Sequence, residues 1–118
     1  MGSFPSQIIL LSSDGSRQEA VEALVDTGST YTLIPAAILA RLGVQPQWVG
    51  HFQLADGREA EYGLGEIRVR LNGDERTTVA IFGPAEASPL LGAYTLEGFG
   101  LMADPVNRRL VPARLYLV

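Results

Sequence analysis

The chain has 118 residues, room for one domain (1–118) at ~100–200 residues per domain. Its 47% hydrophobic and 19% charged residues keep it out of the low-hydrophobicity, high-charge range of disordered chains. Nine arginines, no lysine and thirteen acids give a formal charge of −4, without the basic excess that nucleic acid or an anionic lipid surface selects. The lack of cysteine excludes disulfides, thiolate-bound metal and thiol nucleophiles, and the one histidine, His51, excludes a His-rich metal site.

Thirteen glycines and seven prolines spread along the chain fit many short strands joined by turns better than a few long helices. The start, Met1-Gly2-Ser3-Phe4-Pro5-Ser6, formally fits a myristoylation pattern, but with Pro5 it reads better as a loose N-terminus. It lacks the charged-then-apolar order of a secretory leader, and the composition specifies no compartment. Residues 8–11 form a short apolar strand, and Ser12, Ser13, Asp14, Gly15 and Ser16 a turn. From Gln18, Ala20, Glu22 and Leu24 alternate with Val21, Ala23 and Val25, a period of two that marks a strand. Its polar face fades just before Asp26, so the strand is expected to deliver Asp26 to the interior. The longest apolar run, residues 33–40, has eight residues against the ~20 of a membrane crossing. Within it Pro35 starts a short helix over 36–42 that Gly43 terminates.

Two strands, 52–54 and 59–65, flank a turn of Ala55, Asp56, Gly57 and Arg58; Asp-Gly between alternating strands is a strong hairpin signal. The second strand continues through 66–71, with Ile67, Val69 and Leu71 on one face and Glu66, Arg68 and Arg70 on the other. Asn72-Gly73 turns the chain into a strand over 77–82. Leu90, Leu91 and Gly92 follow a proline-containing loop, residues 93–97 make a short helix stopped by Gly98, and 101–103 is a strand. A hairpin at 104–111 and a tail strand at 115–118 complete an all-β chain with one or two short helices.

The chemically informative stretch is Ala23-Leu24-Val25-Asp26-Thr27-Gly28-Ser29-Thr30, where a carboxylate follows apolar strand residues and precedes a glycine turn. Burial disfavours a charged carboxylate, so an acid there must be hydrogen-bonded, paired or protonated. A structural reading is also open: Asp26 can open an Asx turn with Gly28.

This segment resembles the active-site motif of retropepsin-like aspartic proteases, in which hydrophobic residues precede Asp-Thr-Gly and a small residue follows. Sixty-four residues after Asp26, Leu90-Leu91-Gly92 resembles the hydrophobic-hydrophobic-Gly segment that packs beside the catalytic loop in that family. The hairpin around Asp56-Gly57 stands in the order of the flap, and Phe82-Gly83-Pro84 resembles the loop leading to Leu90. The helix after Pro35 and the ending Gly98-Phe99-Gly100 look more like cellular and bacterial members than viral ones. The resemblance implies a closed retropepsin-like sheet acting as a C2 homodimer, an aspartic endopeptidase on extended peptides that needs no metal or cofactor. It further implies Asp26 as the catalytic residue and Thr27, Gly28 and Ser29 as the active-site loop and dimer support. Leu54, Ala55, Asp56, Gly57, Arg58 and Tyr62 would form the substrate-binding flap, and Leu90, Leu91 and Gly92 the loop packing and specificity-pocket wall. The acid and arginine that pair beside this loop in viral members are Thr30 and Ala93 here, so that pair does not carry over. A catalytically inactive peptide-binding or dimerisation module of the same fold is the alternative, and an unrelated ligand-binding β-barrel a more distant one.

The remaining polar and aromatic candidates have plainer readings. His51 is expected at a strand edge, Asp104 before Pro105 as a turn residue, and Trp48 over the short helix. Arg68 and Arg70 form a solvated face unless glutamates meet them across the sheet.

Overall fold

The structure, a computed structural model, describes residues 3–117. Within them the chain runs β1 (Phe4–Leu11), β2 (Gln18–Val25), β3 (Thr32–Pro35), α1 (Ala36–Arg41), β4 (Trp48–Gln53), β5 (Glu59–Leu71), β6 (Asp74–Gly83), β7 (Leu90–Leu91), α2 (Ala93–Gly98), β8 (Leu101–Asp104) and β9 (Arg109–Pro112). Seven strands form one sheet in the order β1-β2-β7-β3-β6-β5-β4, and a second pairing of β1 with β5 closes it on itself. The first six strands of that order are thus a barrel, which removes the open edges a flat sheet would leave. Strand β4 hangs outside it, and β8 and β9 make a separate hairpin.

The 13-residue strand β5 has two duties. Its later part pairs with β6 on one side and, at Ile9↔Arg70 to Leu11↔Arg68, with β1 on the other. Its first part, before the β6 pairing begins at Leu64, pairs with β4 alone. The β4–β5 hairpin is therefore a two-stranded ribbon projecting from the barrel, and a ribbon without a third strand is only marginally rigid.

Alternation along the strands fills the barrel. Val21, Ala23 and Val25 of β2 are buried while Ala20, Glu22 and Leu24 are exposed, as the period of two predicts. Leu10 faces Val69 across the β1–β5 closure, both fully buried, and they pack in one core with Val25, Ile34, Leu39 and Leu91. Each such side chain contributes ~1.5–3 kcal/mol by leaving water. On the outer face Glu75 accepts from Arg68 Nε at 3.1 Å and Arg70 Nη2 at 3.3 Å, the cross-strand pairing that gives the arginine face partners.

Several elements differ from the sequence expectation. Strand β1 starts at Phe4 rather than residue 8, because Phe4 pairs with Val25 and is buried; the myristoylation motif's Met1 and Gly2 lie outside the described residues. Strand β3 is new: Thr32–Pro35 lies parallel to β6, so Pro35 ends a strand and N-caps α1 instead of starting it, and the helix stops at Arg41. Strand β4 begins at Trp48, and β6 already at Asp74. Residues 113–117 form no strand, and Val118 lies outside the described residues.

The β1–β2 turn is organised by Asp14, whose Oδ1 accepts from Ser12 Oγ, the Ser16 N–H and Ser16 Oγ. The Ser16 backbone bond, then the two hydroxyls, lower its carboxyl from 3.8 to about 2. A depressed native pKa stabilises fully above the unfolded value and is lost as pH falls through the native one. Hydrogen bonds from Arg41 and Arg68 likewise hold Glu19 and Glu75 below the usual range. The melting temperature should therefore fall from about pH 4 to about pH 2, and fall less steeply in Asp14→Asn, read by circular dichroism. Truncation at the barrel seam, Leu10→Ala, should cost ~2–5 kcal/mol in denaturant unfolding.

Candidate functional site

Strand β2 ends at Val25 and hands the chain to Asp26. The Asp26 N–H donates to the Leu91 carbonyl at 3.0 Å, continuing the parallel β2–β7 register of Leu24↔Leu90 and Val25↔Leu91. Its carboxylate Oδ1 accepts from the Gly28 N–H at 3.0 Å, and its carbonyl from the Ser29 N–H at 3.1 Å. This is the Asx turn of the structural reading, and it fixes the carboxylate's orientation. Contrary to the expectation of burial, Asp26 is half-buried and Thr27 and Gly28 are exposed. The loop leaves the barrel wall rather than entering it, so in one chain the carboxylate keeps access to water. It opens on a concavity of about 420 Å³ lined by Val25, Thr27, Gly28, Met102, Ala103 and Pro105, among others.

The sheet order inserts β7 between β2 and β3, so the loop 26–31 must straddle it. Four backbone contacts make the join: Asp26 to Leu91, Ala93 N–H to the Ser29 carbonyl at 2.8 Å, Tyr94 N–H to the Thr30 carbonyl at 2.8 Å, and the close approach of Gly92. A Cβ on Gly92 would stand 2.5 Å from both the carbonyl carbon and oxygen of Tyr31 and 2.9 Å from the Ser29 carbonyl oxygen, so only glycine fits. Ser29 Oγ turns back to the Tyr31 carbonyl at 2.8 Å. Where the resemblance would set an acid and an arginine stand Thr30 and Ala93, each bonded through its backbone to the other's neighbour, Thr30 to Tyr94 and Ala93 to Ser29, and the Tyr31 and Tyr94 rings meet at 5.6 Å. Leu91 and Gly92 are buried and Leu90 half-buried.

The other predicted site residues form a separate group on the β4–β5 ribbon. Leu54 and Arg58 close the tip through the Leu54 N–H to the Arg58 carbonyl at 2.7 Å, and Gly57 takes a φ of +89°. Asp56 accepts from the Arg58 N–H at 3.0 Å and from its Nε at 2.6 Å; these bonds, the backbone one first, hold its carboxyl below the usual range. Ala55, Asp56, Gly57 and Arg58 are exposed, and none of the six lines the concavity at Asp26. Tyr62 is half-buried against Phe52, ring centroids 6.1 Å apart; Phe52 was not singled out in the sequence.

His51 is exposed opposite Glu61, its Nδ1 3.3 Å from Glu61 Oε2. Asp104 accepts from the Val106 and Asn107 N–H groups, a turn residue. Trp48 is 45% exposed, and the hollow beside α1 is lined by Ala36, Ala40, Pro46 and Phe82 instead. Sequence reading also missed Thr32, Thr78 and Thr95, buried hydroxyls under the loop. They stand far apart in the chain, and nothing local marks them. Among the described residues no group of three His, Asp or Glu side chains could hold a metal ion, and no helix is long and apolar enough to cross a membrane.

Comparison with known proteins gives two findings. The model of the family described as aspartyl protease matches residues 12–93. The solution structure of Simian Foamy Virus (mac) protease resembles the chain with a TM-score of 0.57 at 17% identity, over 80% of this chain and 93% of that one, a likeness of fold. No curated protein matches the chain.

The matched span ends just past the Gly92 join, where a paired substitution tests its tightness. Gly92→Ala should lower stability by ~3 kcal/mol or prevent folding, since backbone rather than a movable side chain blocks the methyl. Gly98→Ala, with no atom near the new methyl, should be neutral or stabilising by ~0.5 kcal/mol. Denaturant titration of the two variants reads the difference.

Proposed function

The chain belongs to the aspartyl protease family, and on that premise we propose that it is an endopeptidase in which each of two copies contributes one Asp26. What carries the reading is Asp26, its backbone N–H held by the Leu91 carbonyl and its carboxylate by the Gly28 N–H, reachable by water, in the one Asp-Thr-Gly of the chain. Peptide hydrolysis without a metal needs a base to activate water and an acid to protonate the leaving nitrogen. A single Asp-Thr-Gly supplies one carboxyl, whereas a C2 pair of chains places the same residue from both protomers about one axis.

In the proposed reaction one ionised Asp26 takes a proton from a water whose oxygen bonds to the scissile carbonyl carbon. Its protonated counterpart gives its proton to the carbonyl oxygen. The resulting diol returns one hydroxyl proton to the pair as the nitrogen receives another, the C–N bond breaks, and the carboxyls again share one proton. Two carboxyls a few ångströms apart cannot readily both ionise, behaviour for which aspartic-protease dyads are the standing example. No cofactor takes part.

Surrounding residues would assist. Thr27, exposed beside Asp26, would hydrogen-bond across the axis to the partner loop. Gly28 would admit the substrate backbone; a Cβ there would stand 3.3 Å from Asp26 Oδ1. The ribbon from Leu54 to Tyr62, with β4 as its only partner strand near the tip, would close over an extended peptide. The Thr27 concavity of about 680 Å³, bordered by Met102, Leu115 and Tyr116, would be covered by the second copy.

The Asx turn at Asp26 favours one other reading, an inactive peptide-binding or dimerisation module in which the carboxylate is structural. Asp26→Asn separates the two, because asparagine keeps the Oδ1 acceptor for Gly28 while removing the titratable group. On an unstructured peptide library across about pH 3–8, the wild type should cleave and Asp26→Asn should be inactive yet equally stable. Cleavage should decline as both carboxyls ionise; a rate rising through alkaline pH would refute the shared-proton mechanism. Thr27→Ala should weaken self-association in analytical ultracentrifugation, and an unchanged profile would remove Thr27 from the interface.

A further inference from the structure

Three threonine hydroxyls from three elements meet beneath the Asp26 loop. Thr95 Oγ1 in α2 lies 2.6 Å from Thr32 Oγ1 in β3 and 2.8 Å from Thr78 Oγ1 in β6. Thr32 and Thr95 are 0% exposed and Thr78 5%. Thr32 Oγ1 also accepts the Gly92 N–H at 3.1 Å. Thr95 has one hydroxyl proton and can donate to only one neighbour, so at least one of Thr32 and Thr78 donates to it. The cluster is thus a connected chain of bonds that links the β6 wall, α2, β3 and the Gly92 N–H.

We propose that Thr95 is a positioning residue for the Asp26 carboxylate, a role that rests on the peptidase reading above. Thr95 does not contact Asp26; it acts through the segment that holds the loop. Helix α2 has six residues, far too few to be stable alone, so its position depends on what anchors it. Leu96 buries apolar surface, a non-directional anchor, whereas the Thr95 hydroxyl fixes the helix along two bond directions. The N–H groups of Ala93 and Tyr94, at the start of α2, bond the Ser29 and Thr30 carbonyls. Thr27, Gly28 and Thr30 are exposed, so little packing holds the loop from outside. A turn or slide of α2 would move Ser29 and Thr30, and with them the turn that orients Asp26.

The test compares Thr95→Val, which keeps the shape and removes the hydroxyl, with Thr95→Ser, which keeps the hydroxyl and removes the methyl. Peptide cleavage is measured on dimer verified by sedimentation, and amide hydrogen exchange is followed at Ala93 and Tyr94. Thr95→Val should lower kcat ~10–100-fold, the scale of a displacement of ångström size, with KM within ~2-fold. It should also speed exchange at Ala93 and Tyr94 at least ~10-fold. Thr95→Ser should restore kcat and exchange to within ~3-fold although its melting temperature stays low. Thr78→Val, which leaves the Thr32 bond intact, should give an intermediate loss and serves if Thr95→Val fails to fold. Loss of activity in proportion to melting temperature across the three variants would overturn the proposal, as would wild-type kcat in Thr95→Val. If the wild type itself cleaves nothing, the peptidase reading fails, and the exchange rates still decide: unchanged protection in Thr95→Val overturns the positioning role, and loss rescued by serine upholds its structural half.

Discussion

The structure depends on one junction, the passage of the 26–31 loop over β7. Strands β2 and β3 are consecutive in the chain but not adjacent in the sheet, because Leu90 and Leu91 lie between them. Neighbouring strands are ~4.8 Å apart, so the loop must bridge about twice that while the chain leaving β7 emerges beneath it. Only a residue without a side chain fits at the crossing, and Gly92 occupies it, with the Tyr31 carbonyl where a Cβ would go. The Asp26 N–H is satisfied by the inserted strand, so the same topology that crowds Gly92 anchors the acid.

Rigidity and access are distributed around that junction. The barrel behind it is closed and filled, with Leu10, Ile34, Val69 and Leu91 fully buried, and close-packed interiors deform little. In front of it the loop is exposed and the β4–β5 ribbon has β4 as its only support near the tip. A rigid base under an accessible carboxylate suits chemistry that requires orientation within fractions of an ångström. In the proposed peptidase, a two-stranded ribbon would suit a part that moves aside for a peptide. Polar groups inside the base are hydrogen-bonded: Thr32, Thr78 and Thr95 satisfy one another, and a buried hydroxyl left alone would cost ~1–3 kcal/mol.

Local signals made much of this legible. Alternation in β2, the Asp56-Gly57 hairpin and the Asn72-Gly73 turn are written in adjacent residues, and the structure has them. The parts that were not legible depend on distant partners. Phe4 to Ser6 look like a loose start until Val25, Leu24 and Ala23 are set beside them. Thr32–Pro35 looks like the approach to a helix until β6 lies parallel to it. Phe52 and the three threonines acquire a role only through residues brought beside them by the sheet.

Composition and local pattern alone establish that the chain is mainly β, that no cysteine chemistry is available, and that an Asp-Thr-Gly follows an apolar strand ahead of a later Leu-Leu-Gly. Such features are set by composition and by short-range alternation and turn preferences, which need no knowledge of the rest of the chain. Long-range packing set Asp26 half-open at the barrel rim rather than inside it. It likewise decided that β7 threads between β2 and β3, and that three separated hydroxyls share one buried site. Burial, close approach and hydrogen-bond satisfaction belong to pairs of surfaces, and a pair exists only once the chain has folded back on itself.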